Sequence, residues 1–307
     1  MKKIGKLSLF LWITFIVSYG LAGLFYALGF KFTGLYSMVF GAFYMFIPLL
    51  TVLFVEKVVY KERIRESLLI SFRINRWFVA ALLLPLVLAF MSMGISLLIP
   101  GVTYSADMEG MIKRFQEMHS AAEIEQIRMS LKLMPLHPLI ISSIQGLIAG
   151  MTINAVAAFG EELGWRGFLL KEFKSWSLVK ASLVIGFIWG IWHAPIILMG
   201  HNYHQHPRIG VLMMVIVCIL LSFLFIYITL KTRSVIAAAV MHGTLNATAG
   251  IGIMMLDGGN DLTIGATGLA GFIAMGILIL VIFIYDRYIS GEKIFSKTIE
   301  DSLQLHQ

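Results

Sequence analysis

Apolar runs long enough to cross a lipid bilayer recur along this chain, and no other feature limits its fold as severely. About 20 mostly apolar residues are needed to traverse roughly 30 Å of hydrocarbon. Eight segments meet or approach that length: Leu7–Phe30, Leu35–Val55, Trp77–Ile99, Leu139–Phe159 with a continuation to Leu170, Leu183–Met199, Gly210–Leu230, Val235–Leu256 and Ile264–Tyr285. Backbone groups in hydrocarbon must be satisfied within the segment, so runs of this length form helices. Only 13% of the 307 residues are charged and 59% are hydrophobic, against about 25% charged in soluble domains. The expectation is an all-α, polytopic membrane protein with about eight transmembrane helices in a single transmembrane domain, 1–307.

The basic residues set an orientation. With the N-terminus inside, the inner segments hold 18 of the 24 lysines and arginines and the outer segments 6. Such a bias, alternating loop by loop, is the positive-inside pattern. Both termini are therefore expected on the cytoplasmic side of a plasma membrane, and the net charge of +7 belongs to topology and the lipid surface. No nucleic-acid partner is expected. The first run follows "MKKIGK"; its apolar part is long for a signal peptide and no small-x-small cleavage site follows, so it is expected to remain as a span. The outer segment from Pro100 to His137 places Met108, Met111, Ile112, Phe115 and Met118 at helical spacing. One or two amphipathic helices, lying against the membrane or capping the spans, are expected there. With one cysteine, Cys218, neither disulfides nor cysteine metal clusters organise the chain.

Against that background the ionisable residues inside the apolar runs stand out, because each costs about 2.5–3.5 kcal/mol even on the mildest scale. "NAVAAFGEELGWRGFLL", from Asn154 to Leu170, carries Glu161, Glu162 and Arg166. Helical rise places Glu161 about 15 Å, His242 about 13 Å and His193 up to about 20 Å from the nearest inner-face cation. Three helices thus bring a carboxylate and two imidazoles to a similar depth beneath the inner surface. On the helical wheel Glu162 and Arg166 are placed to pair, leaving Glu161 to face a cavity. Gly160 and Gly164 permit close approach of another helix. His242 and Asn246 share a face, as do Trp189 and His193, and Pro195 is expected to bend the helix just beyond.

A carboxylate beside an imidazole can deprotonate a shared water. A second imidazole and an amide can donate to a developing oxyanion. Glu161, His193, His242 and Asn246 therefore supply a base and an oxyanion site for hydrolysing an amide without a covalent intermediate. No serine occupies a G-x-S-x-G setting, which leaves nucleophilic catalysis poorly supported. The helices within 139–256 form the expected catalytic core.

"EELGWR", "WGIWH" and "HGTLN" resemble the three motifs of the CPBP intramembrane proteases. That family includes CAAX prenyl proteases of the Ras-converting-enzyme type and bacteriocin-processing or self-immunity proteins. Its pattern is E-E-x-x-x-R, F-x-x-x-H and H-x-x-x-N. The first and third motifs match fully; in the second, Trp189 stands where the family usually has Phe. The resemblance implies that Glu161 and His193 activate water, that His242 and Asn246 stabilise the oxyanion, and that Glu162 and Arg166 support them. It implies endoproteolysis of a membrane-associated peptide or protein, prenylated in the eukaryotic members, at the cytoplasmic side of a membrane that for this chain is expected to be a prokaryotic plasma membrane. Trp189 and Asn154 are expected at the substrate pocket, Asn154 because it lies seven residues before Glu161 on nearly the same face.

Two other functions fit the same residues. No cofactor is expected, but Glu161, His193 and His242 form a His₂Glu set of the kind that binds catalytic zinc, although no HExxH is present. Buried Glu and His also serve non-enzymatic immunity or transport proteins. His201, His204 and His206 in "HNYHQHPR" lack helical ligand spacing and are expected to be a solvated outer loop.

Overall fold

A computed structural model describes residues 5–32, 34–116 and 120–305. Its helices are α1 (Lys6–Ala27), α2 (Gly34–Leu53), α3 (Arg76–Ser96), α4 (Glu109–Gln116), α5 (Ala121–Lys132), α6 (Pro138–Met151), α7 (Ile153–Glu162), α8 (Leu170–Glu172), α9 (Leu178–Trp192), α10 (Ala194–Leu198), α11 (Pro207–Thr232), α12 (Val235–Thr248), α13 (Ile251–Met254), α14 (Leu269–Ile284) and α15 (Ile299–Gln304). The chain is an all-α membrane bundle. Among the described residues, six helical segments are long and apolar enough to cross a bilayer: Lys6–Ala27, Gly34–Val59, Arg76–Ser96, Pro207–Thr232, Val235–Met254 and Leu269–Ile289.

The other two expected spans are modified. The fourth is broken: Pro138–Met151 and Ile153–Glu172 meet at a 52° bend. Thr152 sits at the break with φ −117° and ψ −106°, and its hydroxyl donates back to the Ile148 carbonyl at 2.7 Å, a bond that bends helices. The fifth shortens to Leu178–Trp192. Pro195 has no N–H to return to the Ile191 carbonyl; the Tyr19 hydroxyl donates to that oxygen instead, at 2.6 Å. Tyr44 does the same for the Trp192 carbonyl at 2.9 Å. The helix is interrupted at His193 itself, between α9 and α10.

The helix ends divide the bundle into two faces. On one lie the start of α1, the wider-wound Phe54–Val59 turn ending α2, the 60–75 loop, α8, the α11–α12 turn and the tail from 285. There Lys6 and Lys171 clamp Glu56 and Glu62: Lys6 lies 2.6 Å from Glu62, and Lys171 lies 3.0 Å from each acid. Lys174 pairs with Glu300 at 3.0 Å, tying α15 to the same face. Arg166, grouped by sequence with the inner basic residues, is instead fully buried in the bundle.

The opposite face carries the 100–137 segment. Two helices, α4 and α5, form there as expected; Met118 lies outside the described residues. Met108 and Ile112 are buried, and Lys113 anchors α4 to Asp257 at 2.6 Å. A two-residue antiparallel pairing, β1 (Thr103–Tyr104) with β2 (Leu256–Asp257), completes the cap. The histidine loop is also tied down, His206 to Asp261 at 2.6 Å, while His204 is exposed. Among the described residues no group of three histidines, cysteines or acids has metal-holding geometry.

Close helix contacts centre on glycine, as expected at Gly160 and Gly164. A Cβ on Gly160 would meet the Met45 carbonyl of α2 at 2.5 Å, and one on Gly164 would meet Pro48 at 2.7 Å. These contacts press α7 against α2, and Gly243 of α12 likewise abuts the Asn154–Ala155 backbone. Together they fix the acid-bearing helix against its neighbours.

Candidate active site

The end of α7 carries Glu161 and Glu162 into a wider-wound helical segment, Leu163–Leu169, that is buried throughout. Such i→i+5 turns are frequent at functional sites. Arg166 lies on it, its Nη1 donating to Glu162 Oε1 at 3.0 Å as the i,i+4 spacing requires. Nη2 of Arg166 donates to the Ser222 hydroxyl of α11 at 3.1 Å. The guanidinium is sandwiched, its centre 4.3 Å from the Trp189 ring and 4.5 Å from the Phe225 ring. Guanidinium suits such a site because it is planar, weakly hydrated and able to stack.

Glu161 is buried, 2% exposed. Two indoles converge on its Oε2, Trp189 Nε1 at 2.7 Å and Trp165 Nε1 at 3.3 Å. Among the described residues no donor reaches Oε1. Burial without charge pairing is expensive for a carboxylate, and these two donors offset part of the loss.

His193, at the break between α9 and α10, has Nδ1 2.8 Å from the Trp189 carbonyl. A carbonyl only accepts, so Nδ1 carries the proton and the Nε2 lone pair is available. Trp189 thus serves two site residues, its indole holding Glu161 and its carbonyl fixing the tautomer of His193. Trp189 thereby touches both residues that the sequence reading expects to share a water.

His242 of α12 has Nδ1 2.8 Å from Glu162 Oε1, so one carboxylate oxygen joins Arg166 to His242. Glu162 Oε2 and Arg166 Nε are buried without a hydrogen-bond partner among the described residues. Asn154 Nδ2 donates to the Gly243 carbonyl at 3.3 Å, fixing α7 to the turn of α12 next to His242. Asn246, one turn further along α12, is exposed.

The structure therefore gathers Glu161, Glu162, Arg166, Trp189, His193 and His242, with Asn154 bracing the arrangement and Asn246 exposed one turn beyond His242. Sequence reasoning missed Trp165, Ser222 and Phe225. Trp165 was legible, lying four residues after Glu161 on the same helical face. Ser222 and Phe225 sit in a long apolar run with no local cue.

The same segments carry the likeness to known proteins. Residues 143–248, which contain all three motifs, match the family model described as Rce1-like, type II CAAX prenyl endopeptidase Rce1-like. Over these residues the chain is similar to the CAAX protease family. It is similar to CAAX prenyl protease 2 of Methanococcus maripaludis, 30% identical over 148 residues, which is 45% of this chain and 50% of that protein. The chain thus matches about half the length of this curated relative.

Proposed function

We propose that the chain is an intramembrane endopeptidase that cleaves a membrane-associated peptide near its C-terminus with a water activated by Glu161 and His193. The observation that carries this is the convergence of Glu161, Trp189, His193, Glu162 and His242 in one buried cluster. Glu161 Oε1 takes a proton from water while His193 Nε2 orients it. The hydroxide adds to the scissile carbonyl, and the oxyanion is met by Asn246 and by His242 in its imidazolium form. As the tetrahedral intermediate collapses, the C–N bond breaks and Glu161 returns the proton to the leaving amine. Arg166 and Glu162 hold His242; Trp165 and Trp189 hold Glu161.

The substrate class is a C-terminal peptide of CAAX type bearing a prenyl group, as the name of the archaeal relative says of that protein. The mechanism proposed is metal-independent. The site opens to the cytoplasmic side of a prokaryotic plasma membrane, with both termini on that side, because the basic clamps of Lys6 and Lys171 lie on the face from which α8 and the 60–75 loop emerge.

The test uses purified protein in lipid nanodiscs and two synthetic peptides, one farnesylated on the CAAX cysteine and one unmodified, with products read by mass spectrometry. The proposal predicts release of the C-terminal tripeptide from the farnesylated peptide, undiminished by a zinc chelator. Activity lost on chelation and restored by zinc contradicts the metal-free route. No cleavage of either peptide, with a Glu161-independent biological effect, favours the immunity or transport reading.

A further inference from the structure

Away from the acid-histidine cluster, on the basic face, a cavity of about 250 Å³ is lined by Arg73, Asn75, Arg76, Trp77, Lys231, Thr232, Arg233 and Glu292. It lies where the start of α3 meets the turn between α11 and α12. The turn is held by reciprocal bonds: the Ser71 hydroxyl donates to the Arg233 carbonyl at 2.8 Å, and the Ser234 hydroxyl donates to the Ser71 carbonyl. Asn75 caps α3 through Trp77 and Phe78 and donates to the Lys231 carbonyl at 3.0 Å.

Four cations and a single carboxylate face this space. Lys231 pairs with Glu292, and four cations against one carboxylate make the lining of the cavity net positive. Burial and the neighbouring Arg73 hold Arg233 below the usual guanidinium range, as expected where like charges are packed together. An anion between them relieves that repulsion, and guanidiniums match phosphate geometry.

The surroundings identify the source of the anion. Phe72 and Ile74, flanking Arg73, are 80% and 79% exposed. On the other side Tyr285 accepts from Arg76 Nη2 at 3.2 Å, and Tyr288 and Ile289 of the same turn are exposed. Large apolar side chains beside arginines, with Trp77 and two tyrosines between them, form the pattern of a membrane–water interface. Water-soluble phosphate has no use for that apolar rim.

We infer that this cavity binds the phosphate headgroup of an anionic phospholipid, with Arg73, Arg76 and Arg233 on the phosphate and Phe72 and Ile74 among the acyl chains. The inference is independent of the proposed peptidase activity.

Delipidated protein in detergent is titrated with phosphatidylglycerol or phosphatidylcholine and bound lipid is counted by native mass spectrometry, with inorganic phosphate as competitor. Wild type is expected to prefer phosphatidylglycerol. Neutralising one arginine, in Arg73→Gln, weakens that binding about fivefold, and Arg73→Gln/Arg233→Gln about twentyfold or more. Arg73→Lys/Arg233→Lys retains most of the preference, and the charge-matched control Lys57→Gln/Arg65→Gln, elsewhere on this face, leaves it unchanged. Arg73 is exposed, so its single variant reports even if the double variant misfolds. Equal binding of the two lipids, an unaffected Arg73→Gln variant, an equal loss in the control, or competition by inorganic phosphate at lipid-like concentration each overturns the assignment.

Discussion

Arg166 and Trp189 are the side chains through which the cluster's geometry is transmitted. Arg166 is wholly buried between two rings and bonded to Glu162 and Ser222. Arg166→Met removes the buried guanidinium partner of Glu162 and leaves only His242 beside that acid; loss of about 3–5 kcal/mol is expected, read as a lower unfolding midpoint in detergent. Arg166→Lys keeps the charge but not the stacked fork, and falls between the two. Trp189→Phe retains the ring and removes the 2.7 Å bond to Glu161. A charge-assisted bond of this kind contributes about 1.5–3 kcal/mol, so a fall of roughly tenfold or more in kcat, with the fold intact, is expected from peptide-cleavage kinetics. The identity of the acids and histidines was legible in the sequence because charge is rare inside apolar runs. Their wiring was not. Periodicity paired Glu162 with Arg166 correctly, but nothing local revealed that Glu162 also holds His242, 80 residues away.

Individual helices position these side chains by being interrupted and by packing closely. The bend at Thr152 and the break at His193 both lie next to site residues, and both arise from local chemistry: a side chain bonding back to the backbone in one case, a proline in the other. Pro195 announced its break in the sequence. The Thr152 break had no comparable signal, since threonine is common in straight helices, so that span was expected to be continuous. Gly243, beside His242, faces the backbone of α7, where an added Cβ would meet Ala155 N at 2.6 Å and the Gly150 carbonyl at 2.7 Å. Backbone cannot yield as a side chain can. Gly243→Ala is expected to destabilise by about 1–3 kcal/mol and to depress cleavage further by shifting His242; unfolding midpoint and kcat measured together check both.

For the molecule as a whole, alternating apolar runs and loop charges were enough to predict an all-α membrane bundle, because lipid admits so few backbone arrangements. The cap on the opposite face was only half legible: amphipathic spacing revealed its helices, whereas the β1–β2 pairing joins positions some 150 residues apart, beyond any local pattern. The basic face adds a pH dependence. Hydrogen bonds from Lys6 and then Lys171 lower Glu62 from 4.5 to about 2. A carboxylate depressed in the folded state stabilises it above its unfolded pKa and ceases to do so as pH falls through the folded value. The clamp should therefore contribute fully above about pH 4.5 and fade between there and about 2. Midpoints of wild type and Glu62→Gln, compared from pH 7 to 3, should converge on acidification. The central claim, that Glu161 activates the water, is tested most directly by comparing peptide termini in membranes from cells carrying wild type or Glu161→Gln. The account predicts new C-terminal cleavage products that appear with wild type and vanish with Glu161→Gln at equal protein abundance; the same products at the same levels in both would contradict it.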